Sequence, residues 1–284
     1  MSKDQGHKEL DALIRLLDEP DQKTFDKIRD KIFSHGLIAI PSLEDAWANS
    51  FDQIIQERSL NLIHEIQFEQ NVFDLNKWAL FENRDLLKGY MIFSKYNYPD
   101  LDENKMMNQI AKLIQDIWLE LNDELTALEK IKVVNHVLFN IHKFRGNKKN
   151  FYSPDNFSVN NVLERKMGNP TALGVLYLSI CHKLKIPVAG VNLPKHFVLA
   201  YVDHKNNDEI MFYINPFNQG AVFTKNEIDL YIGQLKIDKK DEYYKVCDHL
   251  CIMNRMIDDL ILAYTKLGYE EKISELKKLK SAIS

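Results

Sequence analysis

The strongest constraint on the fold lies between residues 168 and 217. Gly168-Asn169-Pro170 precedes an apolar helical stripe of Ala172, Leu173, Leu176, Tyr177, Ile180 and Leu184. Asn169 suits the helix cap, and Pro170 suits the first helical position, where a missing N–H is no loss. Lys185-Ile186-Pro187 ends that helix, and three strand-like runs follow: Val188 to Leu193, His196 to Val202, and Ile210 to Phe217. The polar stretch Asp203 to Asp208 joins the last two runs as a hairpin. Counting outward from a turn centre between Lys205 and Asn206 sets His196 opposite Asn215 on one side of the ladder. Directly opposed side chains lie about 5 Å apart at Cβ, within hydrogen-bond reach. A histidine oriented by an amide is the base-and-orienter half of a Cys-His-Asn site.

The chain upstream reads as helices. Leu10, Leu13, Ile14 and Leu17 keep a 3.6-residue period until Asp18-Glu19-Pro20-Asp21 breaks it. Phe25, Ile28, Ile32 and Phe33 form a second stripe that ends at His35-Gly36, where Gly36 suits a left-handed position. Further helices carry Leu43 and Trp47, then Ile54, Ile55, Leu62 and Ile63. This alternation resembles HEAT-type repeats, with room for about one and a half of them. From about Asn83 to Leu128 the pattern stays helical, with Met106, Ile110, Leu113, Ile114 and Ile117 on one face. The last forty or so residues form a helical pair around Gly268-Tyr269 that resembles the middle of one tetratricopeptide unit and reads as a packing hairpin. Helices first and strands later imply an α+β class. The expected organisation is a helical domain over 1–85, a core over 86–240 and a C-terminal helical hairpin over 241–284.

A net charge of −4 provides no basic field for nucleic acid or an acidic membrane surface. No stretch approaches the roughly 18 apolar residues of a membrane helix, and Met1 to Gln5 leads straight into an amphipathic pattern. Cytoplasmic residence is the expectation, and Cys181, Cys247 and Cys251 suit a reducing compartment. Cys247-x-His249-x-Cys251 has poor metal spacing. On a helix the two cysteines share a face while His249 points elsewhere, which favours packing. There is no phosphate-binding glycine loop and no dinucleotide fingerprint, so no cofactor is expected.

The succession of helix, Ile-Pro, strand, histidine at a strand start and Asn215 before a Pro216-Phe217…Gly220 turn resembles the transglutaminase-like core. A closer resemblance is to its bacterial SirB-like subfamily. It rests on Asn135, Phe139, Phe144-Arg145-Gly146-Asn147, Tyr152, Pro154, Asn156, Asn160, Val162-Leu163-Glu164-Arg165, Gly168, Pro170, Leu173, Tyr177, Pro194 and His196-Phe197. Lys195 stands where that subfamily usually has glycine, and Asn215 where it usually has aspartate. The resemblance implies a transglutaminase/papain-like core of helices packed on an antiparallel sheet. It also places the family's cysteine nucleophile at the helix N-terminus, where the dipole lowers a thiol pKa. That position is Pro170, and the subfamily itself typically has proline there. No activity is carried over.

These features describe a remnant site of His196, Asn215 and Pro170 at the cysteine position. Asn147, Asn156, Arg165, Asn169, Thr171 and His196 are candidates for lining a groove. Arg165 could equally hold an ion pair, and His196 with Asn215 could be a hydrogen bond internal to the hairpin. The leading expectation is a non-catalytic protein- or peptide-binding or regulatory module. The alternative is a thiol-independent hydrolase or acyltransferase with His196 as base. Neither metal, nucleic acid nor membrane is expected as a partner, and oligomeric state leaves no signal in the sequence.

Overall fold

The computed structural model describes residues 3–81, 84–204 and 206–283. They fall into two compact units, Met1–Asp74 and Leu75–Ser284. The first unit holds helices α1 (Lys3–Ile14), α2 (Gln22–Ser34), α3 (Ile40–Asn49) and most of α4 (Gln53–Leu80). Asp21 caps α2 by accepting the Thr24 N–H at 2.9 Å, one residue after the proline that breaks the pattern. Gly36 follows α2 at φ +56°. Leu10, Leu17, Ile32, Leu43, Leu62 and Ile66 are buried together as this unit's own core.

The second unit begins within α4. It continues through α5 (Leu86–Lys95), α6 (Glu103–Glu120) and α7 (Ala127–Asn135), the last opened by a reciprocal Thr126–Glu129 capping box. Two short parallel strands follow, β1 (Arg145–Gly146) and β2 (Met167–Gly168), with α8 (Val159–Arg165) between them in the chain. Next come α9 (Pro170–Lys183), β3 (Val188–Leu193), β4 (His196–Asp203), β5 (Glu209–Asn215), β6 (Ala221–Phe223) and α10 (Lys225–Leu235). The chain ends with β7 (Val246–Cys247), α11 (His249–Leu267) and α12 (Glu270–Ser281). Strands β6-β5-β4-β3-β7 form an antiparallel sheet in that order. Helices packed on an antiparallel sheet make this an α+β fold, as the sequence pattern implies.

The sheet separates two layers, and the alternation along β4 decides what each contains. Phe197 and Leu199 face α9, where a Cβ on Gly174 would sit 2.6 Å from the Phe197 ring. A side chain at 174 would push that helix off the sheet, so glycine is required by close approach. Val198 and Ala200 point the other way, packing with Val191, Leu193 and Tyr213 against Ile228 and Ile232 of α10. Helix α9 is buried continuously from Pro170 to Cys181 and is the central helix of the unit.

The β4–β5 register differs from the symmetric hairpin read from the sequence. Leu199 pairs with Ile214 and Tyr201 with Phe212, and after a bulge Val202 pairs with Ile210 and Asp203 with Glu209. The same ladder places Asn215 across from Val198. The bulge and an off-centre turn add residues to the second strand, which residue counting could not detect. Lys205, used for the expected turn centre, lies outside the described residues. The slip amounts to two positions, so every side chain keeps its face.

Candidate functional site

His196 opens β4 and is on the α10 face of the sheet. Its entry turn is Pro194-Lys195, and Lys195 adopts φ +58°, which explains why the resembling subfamily has glycine there. Asn215 ends β5 diagonally from His196, and the predicted contact exists: Asn215 Nδ2 lies 3.0 Å from His196 Nε2. The direction of that bond is fixed by a third group. The backbone N–H of Asn218 donates to Asn215 Oδ1 at 3.1 Å, so the amide oxygen is occupied and the amide nitrogen faces the ring. Asn215 therefore donates to the Nε2 lone pair, and the imidazole proton resides on Nδ1. In a Cys-His-Asn site the orienting amide accepts from the ring; here the polarity is reversed.

The turn that presents Asn215 is tied down from below. Tyr177 donates its hydroxyl to Asn135 Oδ1 at 3.0 Å, and Asn135 Nδ2 donates to the Gly220 carbonyl at 2.8 Å. Gly220 has φ +72°, and a Cβ there would meet Asn135 Oδ1 at 1.9 Å. Three residues of the sequence signature thus act as one device that positions the Pro216–Asn218 turn.

His196 is half-buried, with the ring centres of Phe217 and Tyr231 6.3 and 6.4 Å from its own. Burial, reinforced by the nearby Arg255 charge, holds the imidazole down to about 4. At neutral pH it is uncharged. It opens on a cleft of about 270 Å³ walled by Leu193, Val198, Phe223, Ile228 and Tyr231, with Asn215, Asn218 and Glu227 as polar lining.

Pro170 is buried at the first turn of α9 and does not line this cleft. Asn169, 2% exposed, caps α9 by accepting the Ala172 N–H at 2.7 Å. Thr171 is fully buried and donates to Asp259 Oδ2 at 2.5 Å. The other Asp259 oxygen takes Arg255 Nε at 2.8 Å, and Arg255 Nη1 donates to Asn192 Oδ1 at 2.6 Å and to the Leu193 carbonyl at 3.0 Å. Burial pushes the Asp259 carboxyl upward against the pull of Arg255 and Thr171. Thr171, the residue after Pro170, is thus the end of an internal polar chain linking α9, α11 and β3.

The remaining groove candidates hold the loop before α8. Asn147 Nδ2 donates to Asn156 Oδ1 at 2.9 Å, and buried Asn156 donates to the Asn150 and Phe151 carbonyls. Arg165 pairs with Asp155 at 2.5 Å, and Tyr98 donates to the same carboxylate. Among these candidates His196 lines the α10 cleft, while the loop residues are joined to each other. The sequence reading missed Arg255, Asp259 and Tyr231. The signal for the first two was an i, i+4 charge pair beside the apolar stripe of α11. Among the described residues no group of three or more His, Cys, Asp or Glu side chains could hold a metal ion. None of their helices is long and apolar enough to cross a membrane.

The sheet, the central helix and the His–Asn pair at its end define a transglutaminase-like core. Residues 104–258 match the family described as the transglutaminase-like superfamily, and the chain belongs to it. A UPF0162 protein of Xylella fastidiosa (strain Temecula1) is 29% identical over 147 residues, covering 52% of this chain and 51% of that protein. Human F-box only protein 21 is 29% identical over 151 residues, 52% of this chain but 24% of its own length. A UPF0162 protein of Vibrio cholerae is 24% identical over 152 residues, 54% of this chain and 55% of that protein. The chain thus matches about half the length of these bacterial relatives. No solved structure gives a significant match.

Proposed function

We propose that this protein is a non-catalytic binding module that takes an extended peptide into the cleft at His196. The observation that carries the reading is the bond donated by Asn215 to His196 Nε2. A general base needs that lone pair free, and protonating Nε2 would set two donors against each other. The nucleophile side is closed as well: Pro170 carries no reactive group, and the Thr171 hydroxyl is buried on Asp259. The cleft suits one or two apolar side chains rather than a large cofactor. It lies along β6, the outer strand of the sheet, whose Ala221, Val222 and Phe223 line it. An extended segment can pair with such an edge while placing alternate side chains in the cleft. The helical flanks, HEAT-like at the start and tetratricopeptide-like at the end, are further surfaces for a protein partner. The free cysteines accord with a cytoplasmic setting.

The test is selection of displayed peptides on the full chain, counter-screened on Ala221→Trp, which fills the exposed cleft mouth without entering the core. Selected peptides should carry a large apolar side chain, lose at least tenfold in affinity on the variant, and be recovered intact. The absence of any cleft-dependent binder would remove the binding reading. Turnover of an ester or amide that His196→Ala abolishes would replace it with the hydrolase reading.

A further inference from the structure

A second cleft, about 520 Å³, lies on the other side of Leu193's neighbourhood and contains both Cys247 and Cys251. Asn192, Lys245, Glu242 and Arg255 complete its polar lining. Cys247 ends β7 and Cys251 is in the first turn of α11, three residues after the cap Asp248. The two thiols line this one cleft from either side of the turn that starts α11. The Cys247 S–H is also within 3.4 Å of the Gly190 carbonyl, while Cys251 Sγ receives the Asn192 amide N–H at 3.9 Å. Arg255 reinforces the asymmetry. It is oriented by Asp259 and grips the oxygen of the same Asn192 side chain, so its charge is near Cys251. The sequence reading put both cysteines on one helix face and assigned them to packing; in the fold Cys247 ends β7, only Cys251 is helical, and both border a cleft.

We propose that Cys251 and Cys247 form a reactive thiol pair that exchanges with small disulfides, Cys251 attacking and Cys247 resolving. The chemistry follows from the two environments. A thiolate at Cys251 is favoured by the Cys247 S–H, the Asn192 N–H, the Arg255 charge and the positive end of α11, against burial and the Asp248 carboxylate. These bring its thiol down to about 7, while Cys247 is pushed up by its interaction with Cys251 and by burial. The Cys251 thiolate attacks one sulfur of the disulfide, forming a mixed disulfide and releasing the first small thiolate. Cys247 gives up its proton, attacks the Cys251 sulfur and expels the second small thiolate. Two electrons pass from the protein dithiol to the small disulfide, leaving a Cys247–Cys251 bond and two small thiols.

The full chain is alkylated with iodoacetamide across pH 5 to 10, and each cysteine is followed by peptide mass mapping. Cys251 should react with a midpoint near 7 rather than the usual value of about 8.5. Cys181, sealed in α9, should stay unmodified and so report that the chain is folded. Cys247→Ala should raise the Cys251 midpoint by about one unit or more, because it removes the proton donor. With oxidised glutathione at pH 7, the wild-type chain should lose two hydrogens and retain no adduct. Cys247→Ala should retain one glutathione on Cys251, and Cys251→Ala should show neither change. An ordinary Cys251 midpoint that ignores residue 247 would overturn the proposal. So would a stable glutathione adduct on the folded wild-type chain.

Discussion

Replacing Asn215 with aspartate changes one atom and should reverse the electrostatics of the site. Aspartate can keep the bond from the Asn218 N–H on one oxygen and set the other against His196 Nε2. An acceptor then replaces a donor, so the ring must carry its proton on Nε2, and its cationic form gains a carboxylate partner. A neighbouring opposite charge shifts a pKa by about 1–3 units, or roughly 1.4–4 kcal/mol. His196 should therefore rise from about 4 to between about 5 and 7. Long-range nitrogen–proton NMR of the imidazole reads both the tautomer and the titration midpoint. In the wild-type protein it should show Nδ1–H at neutral pH. A wild-type Nε2–H tautomer, or a shift below half a unit in the variant, would refute the bond direction. The same depression makes a stability prediction. Between pH 4 and 6.5 the unfolded chain binds a proton at His196 that the folded chain does not, so stability rises with pH across that window. The contribution is about 3 kcal/mol at full depression, present above pH 6.5 and lost as pH falls to 4. Denaturant melts should show this slope in the wild type and a narrower one in Asn215→Asp.

Arg255→Met leaves Asp259 buried without its cation and should cost about 3–5 kcal/mol at pH 8 by chemical denaturation. The loss should shrink at pH 5, where an already upward-shifted carboxyl can protonate. Thr171→Val removes the other contact to that carboxylate and should cost roughly 1.5–3 kcal/mol without altering cleft binding. Gly174→Ala drives a methyl into Phe197 and should cost about 1–3 kcal/mol, whereas an equal or higher melting temperature would mean that α9 sits further from the sheet. Lys195→Gly relieves a left-handed lysine before His196 and should gain up to about 1 kcal/mol in the same assay.

What the sequence made legible was local. The start of α9 could be read from Asn169 and Pro170, its end from Lys185-Ile186-Pro187, and the three long strands from their apolar runs. The His196–Asn215 contact was legible because a side-chain face has period two, so a register slip of two residues preserves it. The slip itself was hidden, since a bulge at Tyr201/Val202 has no compositional mark. The direction of the central hydrogen bond was hidden too. It depends on a backbone N–H three residues beyond Asn215, which exists as a partner only once Pro216–Asn218 has turned. Arg255 and Asp259 come from a helix some ninety residues after Thr171, and no periodicity connects them across that distance. Helical periodicity put Cys247 and Cys251 on one face, but the helix starts only at His249, so Cys247 belongs to β7 and the two thiols meet at a cleft that no periodicity marks.

The central claim is that His196 serves a binding cleft and no longer aims a base at the start of α9. The most direct measurement is the alkylation rate of a thiol introduced by Pro170→Cys in a Cys251→Ser background. The account predicts a folded protein whose introduced thiol reacts slowly, because the position is buried and Asn215 occupies the His196 lone pair. Adding His196→Ala should then leave the rate unchanged. A fast reaction at neutral pH that falls at least tenfold when His196 is removed would show an intact catalytic frame, and the account would be wrong.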